Sequence, residues 1–214
     1  MPGCGDDTAQ RGIQIKIDTD FDGTADEYRW LGTGGMRWGV DENGDGRIDS
    51  WRMISAEEVT SEIIRAAATR DARRFAVLLL TDAEINSLQL GSDKADRLRQ
   101  KTKDARETFE KWAAGQNVVT RESRWTHFGA EKPGIVPAGT DGAKKDVVVY
   151  ENVVSLLETS GKPQQLLVGT LIQIGNTWRG VDLPRAVTEG AELSDAGLFF
   201  NPSFSSRGQL AAAN

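Results

Sequence analysis

The sequence of 214 residues contains one cysteine and one histidine, so the residue types that build most zinc and redox sites are almost missing. A single cysteine excludes a disulfide framework, a Cys-rich zinc cluster and a Cys-x-x-Cys redox pair within this chain. Long apolar runs are missing too. The longest, residues 75–80, is far shorter than the roughly 18 residues that a membrane span requires. We therefore expect no transmembrane segment.

A concentrated basic patch is also missing. Lysine and arginine are scattered among acidic residues along the chain, whereas proteins that bind nucleic acid gather them on one face to contact phosphates. The net charge is −6, and residues 17–54 alone hold nine carboxylates against four arginines, which is −5. The acidity is therefore local, and nucleic acid is not an expected partner.

The position of the single cysteine is informative. Cys4 lies in Gly-Cys-Gly-Asp-Asp, followed by polar residues, and this stretch resembles the mature start of a bacterial lipoprotein. Such a start predicts a lipid anchor at Cys4 and an extracytoplasmic location, either periplasmic or membrane-anchored. The hydrophobic signal segment that would precede it is not in the sequence. An ordinary free thiol in a disordered tail is the alternative.

An Asp-rich pattern occurs twice near the N-terminus. Residues 17–31 and 40–54 match at an offset of 23 positions, and each copy reads Asp-x-Asp/Asn-x-Asp-Gly-x-x-Asp. Two copies in register are a far stronger signal than one. The candidate metal ligands are Asp18, Asp20, Asp22, Thr24 and Asp26 in the first copy, and Asp41, Asn43, Asp45, Arg47 and Asp49 in the second.

This spacing matches the chemistry of calcium, which takes six to eight oxygen ligands. Positions 1, 3 and 5 of a curled loop offer side-chain oxygens to one centre. The glycine at position 6 permits the bend that turns the carbonyl of position 7 inward, here that of Thr24 or Arg47, and position 9 ligates directly or through water. The pattern predicts calcium as cofactor. The alternative is an acidic turn without a metal.

The pattern departs from an EF-hand at position 12, where Arg29 and Arg52 replace the bidentate glutamate. Strand-forming residues follow the loop instead of a helix, and residues 27–31 and 36–40 flank a glycine-rich turn. We expect a small hairpin. Loss of the bidentate ligand predicts weak binding, with Kd of about 10⁻⁴–10⁻³ M, as in extracellular modules. A structural ion fits this affinity better than a signalling one.

Helical patterns occupy residues 55–115. Ser55 and Glu58 form a capping box, so a helix is predicted from residue 56, with a buried stripe of Val59, Ile63, Ala66 and Ala67. A second helix follows residue 71, with Phe75, Leu78 and Leu79 inward. A third begins after Thr81 and ends near Gly91. The most regular pattern is a long amphipathic helix over 93–114, closed by Gly115, with the inward positions Ala95, Leu98, Thr102, Ala105, Phe109 and Trp112.

Alternating patterns follow the helices. Strands are predicted over residues 118–128, 147–157, 165–174 and 177–183, with turns at 160–163 and 175–176 and a long loop over 129–145. Helices followed by an antiparallel meander predict an α+β fold, with a curved sheet packed on the long helix as in cystatin-like and nuclear-transport-factor-like cones.

No catalytic centre is predicted. The single histidine, His127, lies beside Trp125 and Phe128 in a predicted strand, and no Ser or Cys nucleophile stands in a recognisable elbow. A lone histidine in such a setting is more often a partly buried structural residue than a general base. The glycine-rich residues 32–35 lack the lysine and the following helix of a phosphate loop and read as a turn.

Several short stretches resemble the N-terminal region of planctomycete thioredoxin-like redoxin proteins, over most of residues 17–200. They are Asp-Glu-Tyr-Arg-Trp-Leu at 26–31, Arg-Trp-Gly-Val-Asp at 37–41, Ile-Asp-Ser-Trp at 48–51, Ile-Ser-Ala-Glu-Glu-Val at 54–59, Pro-Gly-Ile-Val-Pro-Ala-Gly-Thr at 133–140, Val-Tyr-Glu-Asn-Val at 149–153 and Thr-Trp-Arg at 177–179. The resemblance implies an exported protein with Asp-rich loops beside a thioredoxin-like domain. This sequence has no Cys-x-x-Cys pair, so redox activity is not carried over.

The patterns divide the chain into a flexible tether (1–16), a tandem calcium-loop module (17–54), an α+β cone-like domain (55–188) and a polar, disordered tail (189–214). We expect a noncatalytic, calcium-stabilised module that binds an unidentified protein partner or positions an adjoining domain. The alternative is a small-molecule binder or enzyme that uses the cavity between helix and sheet, with His127, Tyr150 or the 129–145 loop at its mouth.

Overall fold

The protein is described by a computed structural model over residues 13–18, 22–32, 35–53, 55–187 and 197–200. These residues form an α+β fold with two antiparallel sheets. The strands are β1 (Ile13–Ile17), β2 (Glu27–Gly32), β3 (Gly35–Val40), β4 (Ser50–Met53), β5 (Arg124–Gly129), β6 (Gly134–Val136), β7 (Val147–Thr159), β8 (Lys162–Ile174), β9 (Thr177–Gly180) and β10 (Arg185–Ala186). The helices are α1 (Ala56–Thr69), α2 (Ala72–Ala76), α3 (Asp82–Ser87) and α4 (Ser92–Gly115), and a 3₁₀ turn spans Thr140–Gly142.

The smaller sheet is a meander in the order β1-β2-β3-β4. Ile17 pairs with Glu27, and Glu27 pairs with Val40 on its other side. The predicted hairpin of β2 and β3 is confirmed. Strand β1 begins at Ile13, within the segment that we predicted as a tether, because it adds an edge strand to this hairpin.

Helix α1 begins where its capping residue predicts. The Ser55 hydroxyl accepts a hydrogen bond from the Glu58 N–H at 3.1 Å, which satisfies one of the free amides of the first turn. The predicted stripe is confirmed, since all four of its residues are buried: Val59, Ile63, Ala66 and Ala67.

The two short helices have the predicted starts. The Asp71 carboxylate accepts from the Arg74 N–H at 2.9 Å at the start of α2, and Thr81 and Glu84 complete a capping box at the start of α3. Helix α3 ends at Ser87 rather than near Gly91. Gln89, at φ 54°, has a left-handed backbone that a helix cannot continue through.

Helix α4 confirms the long amphipathic prediction. Leu98 and Phe109 are fully buried, and the Phe109 ring stacks on that of Phe75 at 4.0 Å between centroids. Trp112 is only partly buried, and Ala113 takes the inward position at this end. Among the described helices, none combines the length and apolarity needed to cross a membrane.

The larger sheet has the order β10-β8-β7-β5, with β6 also paired to β7 and β9 to β8. It curls into a half-barrel, and the helices pack against it. Pairing of β7 with β8 is irregular between Tyr150 and Val154, where Asn152 and Gly169 have positive φ of 54° and 93°. Such bulges bend paired strands, and here they lie midway along the two longest strands.

Several strand limits differ from prediction. Strand β5 begins at Arg124 rather than residue 118, because Gln116 caps a turn by accepting from the Val119 N–H at 2.7 Å. The β7–β8 turn is shorter than predicted: Ser160 and Gly161, at φ 50° and 75°, form a two-residue turn and leave Pro163 in β8. Strand β6 lies within the predicted 129–145 loop.

Among the described residues, the core consists of two clusters that use both faces of the sheet. The first, under α1, α2 and the second half of α4, includes Phe75, Phe109 and Leu166. The second, under α3 and the first half of α4, includes Leu98 and Ile172. Val149 belongs to the second cluster, whereas its neighbour Tyr150 packs against the first, as expected for successive residues of a strand.

Candidate metal centre

The two Asp-rich segments form the two connections at one end of the smaller sheet. Residues 18–26 join β1 to β2, and residues 41–49 join β3 to β4. Alternate connections of an antiparallel meander lie at the same end, so the two loops are neighbours. The Asp41 N–H donates to the Asp26 carbonyl at 2.8 Å, which links the start of the second loop to the end of the first.

The second loop is organised around Asp41. Asp41 is 2% exposed, and its carboxylate accepts from the Gly46 N–H at 2.7 Å and from the Asp45 N–H at 3.2 Å. Gly46 has φ 81°, which the sharp bend at position 6 demands. The carboxylate at position 9 reaches back across the loop, since Asp49 Oδ2 accepts from the Glu42 N–H at 2.9 Å.

The first loop repeats two of the hydrogen bonds between backbone amides and Asp carboxylates that the second loop makes. The Asp18 carboxylate accepts from the Gly23 N–H at 2.8 Å, and Gly23 has φ 93°. Asp22 Oδ1 accepts from the Thr24 N–H at 2.7 Å, as Asp45 Oδ1 does from the Arg47 N–H at 2.9 Å. Over residues 18 and 22–26, the part of the first loop that the structure describes, the sequence repeat is therefore also a conformational repeat.

The copies differ in how firmly they rest on the sheet. In the second, Ile48 covers Gly39, so that a Cβ on Gly39 would lie 2.8 Å from Ile48 Cδ1. The equivalent positions of the first copy hold Ala25 and Lys16, which cannot form this apolar contact. Asp41 is buried, whereas Asp18 is half-buried. The second loop is therefore the better anchored of the two.

Nine of the ten predicted ligands lie in the described parts of the two loops. Asp41, Asn43, Asp45, Arg47 and Asp49 all lie in the second loop, and Asp18, Asp22, Thr24 and Asp26 in the first, whereas Asp20 lies outside the described residues. Within the described part of the chain, no three His, Cys, Asp or Glu side chains are arranged to hold a metal ion. Asp41, Asn43 and Asp45 accept amide hydrogen bonds within their loop. The hard oxygen donors fit calcium in type.

The loops lie away from the helical part of the chain. Strand β4 leaves the second loop at Ser50 and runs to Met53, and α1 begins at Ala56. The loops are therefore at the opposite end of β4 from the entry to α1. The smaller sheet itself rests on the larger unit, since α1 contacts β3 and β4, and β9 contacts β4.

The residues considered for catalysis do not converge. His127 is exposed on β5, which corrects the expectation that it is partly buried: the strand turns this side chain to solvent. Tyr150 lies between Phe128 and Trp178, with ring centroids 5.2 and 4.9 Å away. Burial raises the pKa of the Tyr150 hydroxyl above its ordinary value, and the Glu57 carboxylate raises it further.

A polar cavity of about 210 Å³ lies on the sheet at the bulges of β7 and β8, and neither His127 nor Tyr150 lines it. Its polar lining includes Lys101, Glu151 and Asp182, and Lys101 Nζ contacts Asp182 Oδ1 at 2.5 Å. Sequence reasoning missed this group. The only signal was the apolar Gly-Leu-Phe-Phe at residues 197–200, which stands out in a polar tail and packs beside the cavity.

No protein-family model matches this chain, and neither a curated protein nor a solved structure matches it. Its function must be argued from its own residues.

Proposed function

We propose that this chain is a noncatalytic, calcium-stabilised extracytoplasmic module that binds a protein partner or positions an adjoining domain. The observation that carries the proposal is the conformational repeat of the two Asp-rich loops. In each copy the first Asp accepts the amide of the sixth-position glycine, and the Asp41–Asp26 hydrogen bond holds the copies side by side. Calcium would be the ion of both loops.

Electrostatics supports a bound cation. Residues 17–54 carry a net charge of −5, and the loops place most of these carboxylates at one end of a small sheet. Neighbouring carboxylates repel one another, and two calcium ions would add four positive charges there. The ligand side chains would come from Asp18, Asp20, Asp22 and Asp26 in the first loop. In the second they would come from Asp41, Asn43, Asp45 and Asp49.

The proposed location follows from affinity. Both copies have arginine at position 12, so each loop lacks the bidentate carboxylate of sensor loops. A site with Kd of about 10⁻⁴–10⁻³ M fills only where calcium is abundant, as it is outside the cytoplasm. The lipoprotein-like start at Cys4 and the resemblance to exported redoxin-associated regions support the same location.

A positioning role fits the way the chain is built. We expect the half-barrel to be a cystatin-like or nuclear-transport-factor-like cone, and the stacked rings of Phe75 and Phe109 fill the core beneath its helices. The loops lie at the end of the smaller sheet that is distant from α1. An ion bound there would stiffen the smaller sheet, which precedes the helices in the chain. A companion role beside a redoxin domain is part of this proposal and rests on the resemblance.

The polar cavity favours a second candidate function. Lys101, Glu151 and Asp182 line a space of about 210 Å³, which suits a small polar ligand and supports the alternative of a small-molecule binder or enzyme. A ligand that raises the melting temperature in the presence of a chelator would favour this candidate over the calcium module.

Two measurements on metal-stripped protein test the calcium proposal: the melting temperature with and without calcium, and the heat of binding in a calorimetric titration with calcium. At about ten times Kd, one occupied site adds about 1.4 kcal/mol to the free energy of unfolding. That corresponds to a rise in melting temperature of about 3–6 °C for a chain of this size. Asp45→Asn and Asp22→Asn each remove one ligand charge and are expected to abolish the rise that their own loop provides.

Glu42→Gln is the matched control, since it removes one charge from position 2 of the second loop, which is not a ligand position. Its calcium response should stay within twofold of that of the original chain. Magnesium at equal concentration controls for screening. No heat of binding up to about 10 mM calcium, together with an unchanged melting temperature, would rule out the calcium sites.

A further inference from the structure

Residues 197–200, Gly-Leu-Phe-Phe, fold back onto the half-barrel and are bound there mainly through their backbone. Glu151 Oε1 accepts from the Phe199 N–H at 2.6 Å, and Glu151 Oε2 accepts from the Phe200 N–H at 3.1 Å. Lys94 Nζ donates to the Leu198 carbonyl at 2.5 Å. One carboxylate and one ammonium thus satisfy three backbone groups of a four-residue segment.

Apolar contacts and steric limits restrict which side chains the groove can accept. Leu198 and Phe199 pack against the second core cluster, and Lys94 Nζ lies 5.1 Å from the centre of the Phe199 ring. A Cβ on Gly197 would overlap the Glu151 carboxylate, and a Cβ on Gly134 would lie 2.5 Å from the Phe200 ring. The groove therefore accepts glycine followed by large apolar residues.

The bound segment also closes the polar cavity at the bulges. Gly197 and Leu198 line that cavity together with Lys101 and Asp182. Asp182 is held in place by the Thr170 N–H, which donates to its Oδ2 at 2.7 Å. Removing the segment would open this side of the cavity to solvent.

We propose that the groove around Glu151 and Lys94 is a recognition site for a Gly-Leu-Phe-Phe segment, and that residues 197–200 occupy it as a detachable clasp over the polar cavity. Three backbone hydrogen bonds and two partly buried apolar side chains are a small interface, so the clasp is in equilibrium with an open form. The inference goes beyond the calcium proposal and does not depend on it, because none of these residues belongs to the Asp-rich loops.

The first test is amide hydrogen exchange on the full chain with Glu151→Gln, which keeps the shape of the side chain and removes its charge. Exchange at the Phe199 and Phe200 amides is expected to speed up by as much as about tenfold, which is the limit for a clasp that is closed about nine-tenths of the time. The amide of Phe109 in α4 should be unchanged, which shows that the fold is intact. Glu158→Gln, at an exposed position of the same strand, is the matched control. Unchanged exchange at both clasp amides would overturn the proposal.

The second test supplies the segment in trans. The full chain with Gly197→Val and Phe199→Ser has an open clasp, because the first change overlaps the Glu151 carboxylate and the second removes an apolar contact. The probe is a blocked peptide of residues 196–201, Ala-Gly-Leu-Phe-Phe-Asn. If the original clasp is closed about nine-tenths of the time, the double variant binds this peptide about tenfold more tightly than the original chain.

A peptide with Gly197→Val is expected not to bind, because its side chain overlaps the Glu151 carboxylate. Chemical-shift changes at Lys94 and Glu151 would place the bound peptide. Equal binding of the two peptides, equal binding to the two proteins, or no binding to the double variant would each overturn the recognition site. All measurements are made in chelator, so their outcome is separate from that of the calcium experiment.

Discussion

The Asp41 N–H donates to the Asp26 carbonyl at 2.8 Å, so the ninth position of one Asp-rich loop is bonded to the first position of the next. The same residue directs its carboxylate into its own loop, where it accepts the Gly46 amide. Asp41 therefore belongs to both loops. Because this hydrogen bond links the loops, a substitution that alters the conformation of one loop is expected to alter the conformation of the other as well.

Gly46→Ala is predicted to destabilise the chain by about 1–2 kcal/mol. The strain is conformational and not steric, since Gly46 has φ 81° and open space around the position of a Cβ. Urea unfolding in chelator measures it, and calcium affinity should fall as well. Gly115→Ala is the matched control, because its surroundings are equally open and it ends helix α4, where alanine is favoured. A loss no greater than that of the control would contradict the assigned bend.

Gly39→Ala is predicted to destabilise by about 1–3 kcal/mol, because the new methyl group would lie 2.8 Å from Ile48 Cδ1. Shortening the opposing side chain tests the cause. In a double-mutant cycle with Ile48→Ala, the second change should recover part of the loss. Strictly additive changes in the free energy of unfolding would show that there is no steric conflict between these two side chains. The equivalent pair of the first copy, Lys16 and Ala25, predicts no such coupling.

Ser155→Ala is predicted to stabilise the chain by about 1 kcal/mol. Ser155 is 0% exposed, and its hydroxyl has no hydrogen-bond partner among the described residues, so alanine removes an unsatisfied polar group. Thermal or urea unfolding measures the change. Ser123→Ala is the matched control: its hydroxyl accepts from the Thr120 N–H at 2.8 Å, so the same substitution should cost about 1 kcal/mol. Destabilisation by both would imply a partner for Ser155.

Tyr150 is predicted to ionise above its ordinary pKa of about 10, because burial and then the Glu57 carboxylate disfavour the phenolate. In the unfolded chain neither effect acts. The corresponding stability is therefore fully present below the unfolded pKa and is lost as pH rises from there through the folded pKa. Ultraviolet titration of the Tyr28→Phe chain isolates Tyr150, since the sequence has two tyrosines. Glu57→Gln should lower the Tyr150 pKa, and an unchanged titration would remove Glu57 as a cause.

Local signals predicted the helices well. Ser55 and Thr81 cap the helices that they were expected to cap, and the long stripe from Ala95 to Phe109 is buried as its period requires. Strand limits were less predictable, because they depend on partners distant in the chain. Strand β6 exists because Val136 can pair with Val147 on a strand that lies beyond the intervening loop.

The Asp-rich repeat was visible in the sequence because its information is local: glycine at position 6 and Asp at positions 1 and 5 determine the bend and its amide hydrogen bonds. Whether the loops are neighbours was decided by the tertiary structure, through the meander that brings Asp26 beside Asp41. The clasp could not be predicted either. Glu151 and Phe199 are 48 positions apart, and no local pattern couples a strand carboxylate to an amide that only chain folding brings within 2.6 Å.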